Sequence, residues 1–114
     1  MEQFNFENLN VYQLSKKLSI DLILITNKFP ISFSRIKDQL IGAVISIPLN
    51  LAEGSGRISK KDKINFYKNS RASLYELYAI IDICDSIGLL KKNLFSDRIL
   101  LIAKMLSKLI KSCL

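Results

Sequence analysis

The chain has no histidine, which removes the side chain most used for proton transfer near neutral pH and the commonest metal ligand. Its two cysteines, Cys84 and Cys113, share no spacing of the kind that holds zinc and sit among apolar neighbours, where a reduced thiol serves as a small hydrophobe. No hydroxyl or thiol has a recognisable base beside it. Gly54-Ser55-Gly56 lacks both the preceding strand and the Gly-Lys-Ser/Thr ending of a phosphate loop. The expectation is a protein that is not an enzyme and takes no cofactor or metal. No uninterrupted apolar run approaches the ~20 residues of a membrane span. Met1 to Asn10 holds acids instead of the apolar segment of a secretion signal, so a cytoplasmic location away from membranes is expected. Alternating strand patterns, internal repeats and low-complexity tracts are also missing, which leaves helix as the only regular structure.

What is present fits one domain over residues 1–114, close to the size at which association adds much of the burial. Hydrophobic residues make up 49% and charged residues 24%, so the chain folds, yet a lone small bundle has difficulty burying that much Leu and Ile. The 17 basic residues outnumber the 10 acidic ones, for a net charge of +7. Such a balance favours acidic partners such as RNA or DNA, and it also keeps an oligomer soluble.

Punctuation and apolar spacing predict four helices joined by short connections, an antiparallel up-down bundle. The first carries Val11, Leu14, Leu18, Leu22, Ile25 and Phe29 on one stripe, with Asn8 or Asn10 as its cap and Pro30 as its stop. Phe4 and Phe6 are expected to pack back onto the bundle. Ser34 offers the cap of a second helix that is apolar nearly all round. A third helix, capped by Ser59, carries two apolar stripes, one through Tyr67, Leu74, Tyr78 and Ile81 and the other through Ser70, Leu77, Ile80 and Cys84. Gly88 supplies its positive-φ stop. The fourth places Phe95, Ile99, Ile102, Leu106, Leu109 and Cys113 inward, with Lys104, Lys108 and Lys111 together on the opposite side as a solubilising ridge. Doubled stripes on the second and third helices predict self-association, since a monomer would leave one of them exposed.

The most informative stretch is Ser46 to Arg57. Pro48 cannot donate to the carbonyl of Val44 and its ring crowds that carbonyl, so a kink is expected and the freed carbonyl needs another donor. Gly54 is expected to end the helix or begin its exit. Asn50, Glu53 and Arg57 share a face at helical spacing, and Glu53 reaches Arg57 as an i,i+4 pair. These residues read either as a ligand or phosphate site or as a structural network serving Pro48. The structural reading, comprising Ser46, Pro48, Asn50, Glu53, Gly54 and Glu76, is preferred because buried polar groups must be paired. Under it Glu53→Ala lowers stability by leaving a buried Arg57 unpaired, and Glu76 pairs with Arg57, Arg71 or a neighbouring subunit. Arg57, Lys60, Lys61 and Lys63, opposed by Asp62 alone, form the nucleic-acid candidate; the alternative is a solvated turn.

Three blocks of this sequence resemble a known family. Phe6 to Gln13 is similar to its opening block, and Ser46 to Arg57 matches its central Ser-Ile-Pro-x-Asn-Leu-Ala-Glu-Gly-x-Gly-Arg signature. Ser70 to Leu77 is a weaker match, with Ala72 where glycine is usual. Gln39-Leu40 also fits. The family is that of four-helix-bundle proteins encoded in intervening sequences of bacterial large-subunit ribosomal RNA genes. The resemblance implies assembly as a homopentameric ring around a pore. It also implies kinship with the accessory protein of diversity-generating retroelements, which works with a reverse transcriptase and nucleic acid. Ile41 and Gly42 depart from the pattern, since relatives often carry basic residues there. Two functions follow: a non-enzymatic scaffold that binds RNA or DNA, or an interaction module that docks a partner such as a reverse transcriptase.

Overall fold

Ser59 stands with extended backbone and accepts a hydrogen bond from the Asp62 amide at 3.1 Å through its hydroxyl, the N-cap read from the sequence. The helix it starts is the longest of four. The structure, a computed structural model, describes residues 4–114; the part of the secretion-signal reading that falls on Met1, Glu2 and Gln3 lies outside the described residues. In chain order the helices are α1 (Asn10–Thr26), α2 (Ser34–Ser55), α3 (Lys60–Ser86) and α4 (Ser96–Ser112). Short 3-10 turns precede α1, α2 and α4, and there is no strand among the described residues. At about 1.5 Å per residue α3 alone is about 40 Å long, and it accounts for the longest dimension, 43 Å.

All four helices feed one core, built on Leu18 and Leu22 of α1, Leu40, Val44, Ile47 and Leu51 of α2, Leu74, Leu77 and Ile81 of α3, and Ile102 and Leu106 of α4. The α2–α3 interface is the most extensive. Gly88 sits at φ +80, and the Leu89 amide bonds back to the Cys84 carbonyl at 2.8 Å. This is the left-handed helix stop for which glycine is suited. Cys84 is buried and Cys113 half-buried, both free.

Several local expectations are corrected. Neither Asn8, Asn10 nor Ser34 caps a helix; Leu9 and Phe33 occupy those positions without side-chain bonds, because the 3-10 turns deliver the chain into α1 and α2. Helix α1 ends at Thr26, before Pro30, and Phe29 lies half-buried beyond its end. Leu14 and Tyr78, assigned inward, are exposed, whereas Ser15, Ser19 and Thr26 are buried on α1. Phe6 packs edge-on against Tyr12 with centroids 4.7 Å apart, while Phe4 is exposed.

Helix α2 is unbroken through Pro48. The Val44 carbonyl, deprived of its usual donor, receives the Ser19 hydroxyl of α1 at 3.2 Å. The same hydroxyl also reaches the Ser15 carbonyl at 2.8 Å, so its single proton is shared. From the other side, the Ser70 hydroxyl of α3 donates to the Ile47 carbonyl at 2.9 Å, and the Ser46 and Ser73 hydroxyls bond each other at 2.8 Å. The proline turn is thus served by α1 and α3 together.

Candidate nucleic-acid interface

Gly54 stands one residue before the end of α2 at Ser55, so it begins the exit rather than ending the helix itself. A Cβ on Gly54 would lie 2.8 Å from Tyr67 Cε1 and 2.9 Å from Phe66 Cβ, so glycine allows α3 to close on α2. Beside it the Tyr67 and Ser55 hydroxyls bond at 3.1 Å. Lys63 reaches back from the first turn of α3, its Nζ donating to the carbonyls of Ser55 at 3.0 Å and Gly54 at 3.4 Å. A cation at a helix C-terminus satisfies orphaned acceptors and complements the helix dipole. Of the four cations expected to meet nucleic acid, Lys63 is therefore engaged in closing α2.

Arg57, Lys60 and Lys61 are exposed. The Arg57 guanidinium lies 4.6 Å from the Phe66 ring centroid and bonds Glu53 Oε2 at 3.1 Å. With side chains 46% and 55% accessible, this is a solvated pair, so the sequence-based picture of a buried Arg57 network does not hold. Asn50 belongs elsewhere: its side-chain amide donates to the Ser46 carbonyl at 2.8 Å and to the Ser46 hydroxyl at 2.9 Å. The polar set of the central stretch splits in two. Ser46 and Asn50 join Ser73 beside Pro48; Glu53 and Arg57 face solvent next to Phe4 and Phe6. Glu76 is exposed and makes no ion pair among the described residues.

A second basic surface joins the Lys104, Lys108 and Lys111 ridge, which the sequence assigned to solubility, to residues of α3 that the sequence did not connect with it. Arg71 of α3 donates through Nε to the Ser107 hydroxyl of α4 at 3.1 Å and through Nη2 to the Tyr75 hydroxyl at 3.1 Å, with its guanidinium 4.8 Å from the Tyr75 ring centroid. Lys104, Lys108 and Lys111 line the same side of α4. The signal lay in Lys68, Arg71 and Tyr75, spaced by three and four residues, but it comes from a different helix and becomes one surface only when α3 and α4 pack.

Elsewhere, Asp21 of α1 takes Arg98 of α4 at 2.9 Å and Lys17 at 3.3 Å. Desolvation pushes its carboxyl up, but the hydrogen bonds from Arg98 and Lys17 outweigh it and hold the pKa below the ordinary aspartate value. Burial raises the Cys84 thiol, which disfavours the reactive thiolate. No group of three or more His, Cys, Asp or Glu that could hold a metal ion occurs among the described residues, and no helix there is long and apolar enough to cross a membrane.

These features define a small all-helical bundle with cations gathered on the α2–α3 turn and between α3 and α4. The family model described as 23S rRNA-intervening sequence protein matches residues 7–112, and the chain belongs to that family. No match was found among the curated proteins.

Proposed function

We propose that the chain is a non-enzymatic helical scaffold whose antiparallel up-down bundles assemble into a closed homopentameric ring that binds the backbone of RNA or DNA. The observation that carries this reading is the exposed trio Arg57, Lys60 and Lys61 within five residues of the α2–α3 turn, of which Lys60 and Lys61 make no ion pair among the described residues. Repetition around a ring multiplies the trio, and multiple phosphate contacts give affinity with little base preference. The net charge of +7 supports the same reading. Apolar side chains left open on all four helices, including Ile20 and Leu24 of α1, Leu49 of α2, Ile83 of α3 and Leu101 of α4, support association of copies.

Fluorescence polarisation with a structured RNA and a DNA duplex, at low and moderate salt, tests the binding. Affinity is expected to fall steeply with salt, and no binding of either at micromolar protein refutes it. Light scattering coupled to size exclusion tests the ring: a monodisperse 13.0 kDa species refutes it. A second reading, an accessory module that docks a protein such as a reverse transcriptase, is favoured by Ile58, which is 99% exposed beside Arg57. A reverse-transcriptase gene adjacent to the coding sequence supports docking, whereas an open reading frame inside a ribosomal RNA gene supports the intervening-sequence setting.

A further inference from the structure

Tyr75 lines three adjoining hollows of about 320, 370 and 430 Å³ that form a trough between α3 and α4, bridged where Arg71 meets Ser107. At one end its walls are apolar, with Leu74, Tyr78, Ile99 and Leu100 beside Asp97. The other two-thirds carry Lys68, Arg71, Lys104, Lys108 and Lys111 and no carboxylate. Lys104 and Lys111 lie about 10 Å apart along α4, so the cations follow a line, as a phosphate backbone does. Arg71 is held across the trough by Ser107 and lies against Tyr75, while 58% of Tyr75 stays accessible. The trough therefore offers an oriented aromatic ring beside a row of cations.

We infer that this trough binds single-stranded nucleic acid, with Lys68, Arg71, Lys104, Lys108 and Lys111 taking phosphates and Tyr75 stacking on an unpaired base. The inference rests on the nucleic-acid reading above and moves its principal site from the turn to the trough. A single strand fits better than a duplex because only unpaired bases offer a free face to an aromatic side chain. Occupation by a second copy of the chain would require that copy to bring carboxylates to several ammonium groups desolvated at the contact, and light scattering reads it in the test below.

The test uses labelled oligouridine, labelled oligothymidine and a duplex of equal length, titrated by fluorescence polarisation between ~50 and ~200 mM salt. The single strands are expected to bind more tightly than the duplex. Tyr75→Ala should weaken single-strand binding about tenfold, and Tyr75→Phe should retain it, since stacking needs the ring and not the hydroxyl. Replacing Lys104, Lys108 and Lys111 together by alanine should reduce the slope of log K against log salt by about 2, at about 0.7 for each phosphate no longer neutralised. If Lys60→Ala with Lys61→Ala abolishes binding while the trough variants bind as the parent does, the trough is overturned and nucleic-acid binding stands. If the parent binds none of the three probes, nucleic-acid binding fails and the trough with it. If the trough variants change the mass seen by light scattering, the trough is an interface between copies and the inference is overturned.

Discussion

Removing the Ser19 hydroxyl should destabilise the protein only while residue 48 is proline. In the parent chain the Val44 carbonyl is buried, has lost its helical donor to Pro48, and receives the Ser19 hydroxyl at 3.2 Å. A buried acceptor left without a partner costs about 1–3 kcal/mol. The Ser15 carbonyl, the other acceptor of that hydroxyl, still takes its ordinary helical amide and adds little. For a domain of this size the loss corresponds to a fall in Tm of about 4 °C per kcal/mol, so Ser19→Ala should melt about 4–12 °C below the parent. Pro48→Ala restores a backbone N–H at the position that serves Val44, whatever else it does to packing. In that background Ser19→Ala should cost less than about 0.5 kcal/mol. The four proteins form a double-mutant cycle, read by far-ultraviolet circular dichroism in urea at one fixed protein concentration. A coupling of about 1 kcal/mol or more is expected. Equal losses in the two backgrounds, within about 0.5 kcal/mol, would refute the assignment of Ser19 as the donor that replaces the missing amide.

Gly54→Ala should destabilise by up to about 2 kcal/mol in the same denaturation assay, because overpacking of about 1–3 kcal/mol is set against a helix-propensity gain of about 1 kcal/mol; a more stable variant would show that α3 yields. Glu53→Ala should change stability by less than about 1 kcal/mol, the range of a solvated ion pair, and a larger loss would restore the buried-network reading. In native protein a thiol reagent should modify half-buried Cys113 quickly and buried Cys84 only on unfolding, which mass spectrometry of the labelled peptides reads directly; prompt labelling of Cys84 contradicts its place in the core. Asp21 is held below its ordinary pKa when folded, so the unfolded chain binds more protons as the medium acidifies. The stability it contributes is complete above about pH 4 and is lost as pH falls through the folded value. Arg98→Ala should flatten that acid-side decline in the unfolding midpoint, and an unchanged decline would remove the Asp21–Arg98 contact from the account.

The inward stripe of the last helix was largely legible: Phe95 at its N-cap, Ile99, Ile102 and Leu106 are buried and Leu109 and Cys113 half-buried, as their helical spacing indicates, although Leu100 and Leu101 stay exposed. Ser59 and Gly88 were equally readable, since a cap and a positive-φ stop are set by the few residues around them. Helix α1 was read less well. Its inner face includes Ser15, Ser19 and Thr26, which a hydropathy pattern turns outward; their hydroxyls bond backbone carbonyls at Tyr12, Ser15, Val44 and Ile23, and that makes them acceptable inside. The turn cations were visible as a cluster. Lys63's role was not, because the carbonyls it serves belong to the end of a different helix.

The demand created by Pro48 was legible, yet its answer was not local. A donor on α2 itself could have filled the gap without fixing any neighbour. Instead Ser19 comes from α1, while Ser70 and Ser73 come from α3 to bond α2 one residue before Pro48 and two residues before it. Each bond is directional and short-ranged, so a shift of either neighbour by one helical residue, about 1.5 Å along its axis, would break it and leave a buried polar group unpaired. Apolar contacts tolerate such a slip far better, because burial is non-directional. The proline turn in α2 therefore sets the register of α1 and α3 against the central helix, and small serine side chains allow the helices the close approach that these bonds need. Through α3, that register fixes where Arg71 and Tyr75 stand opposite Ser107 on α4, which links a structural device at the heart of the bundle to the basic trough on its surface.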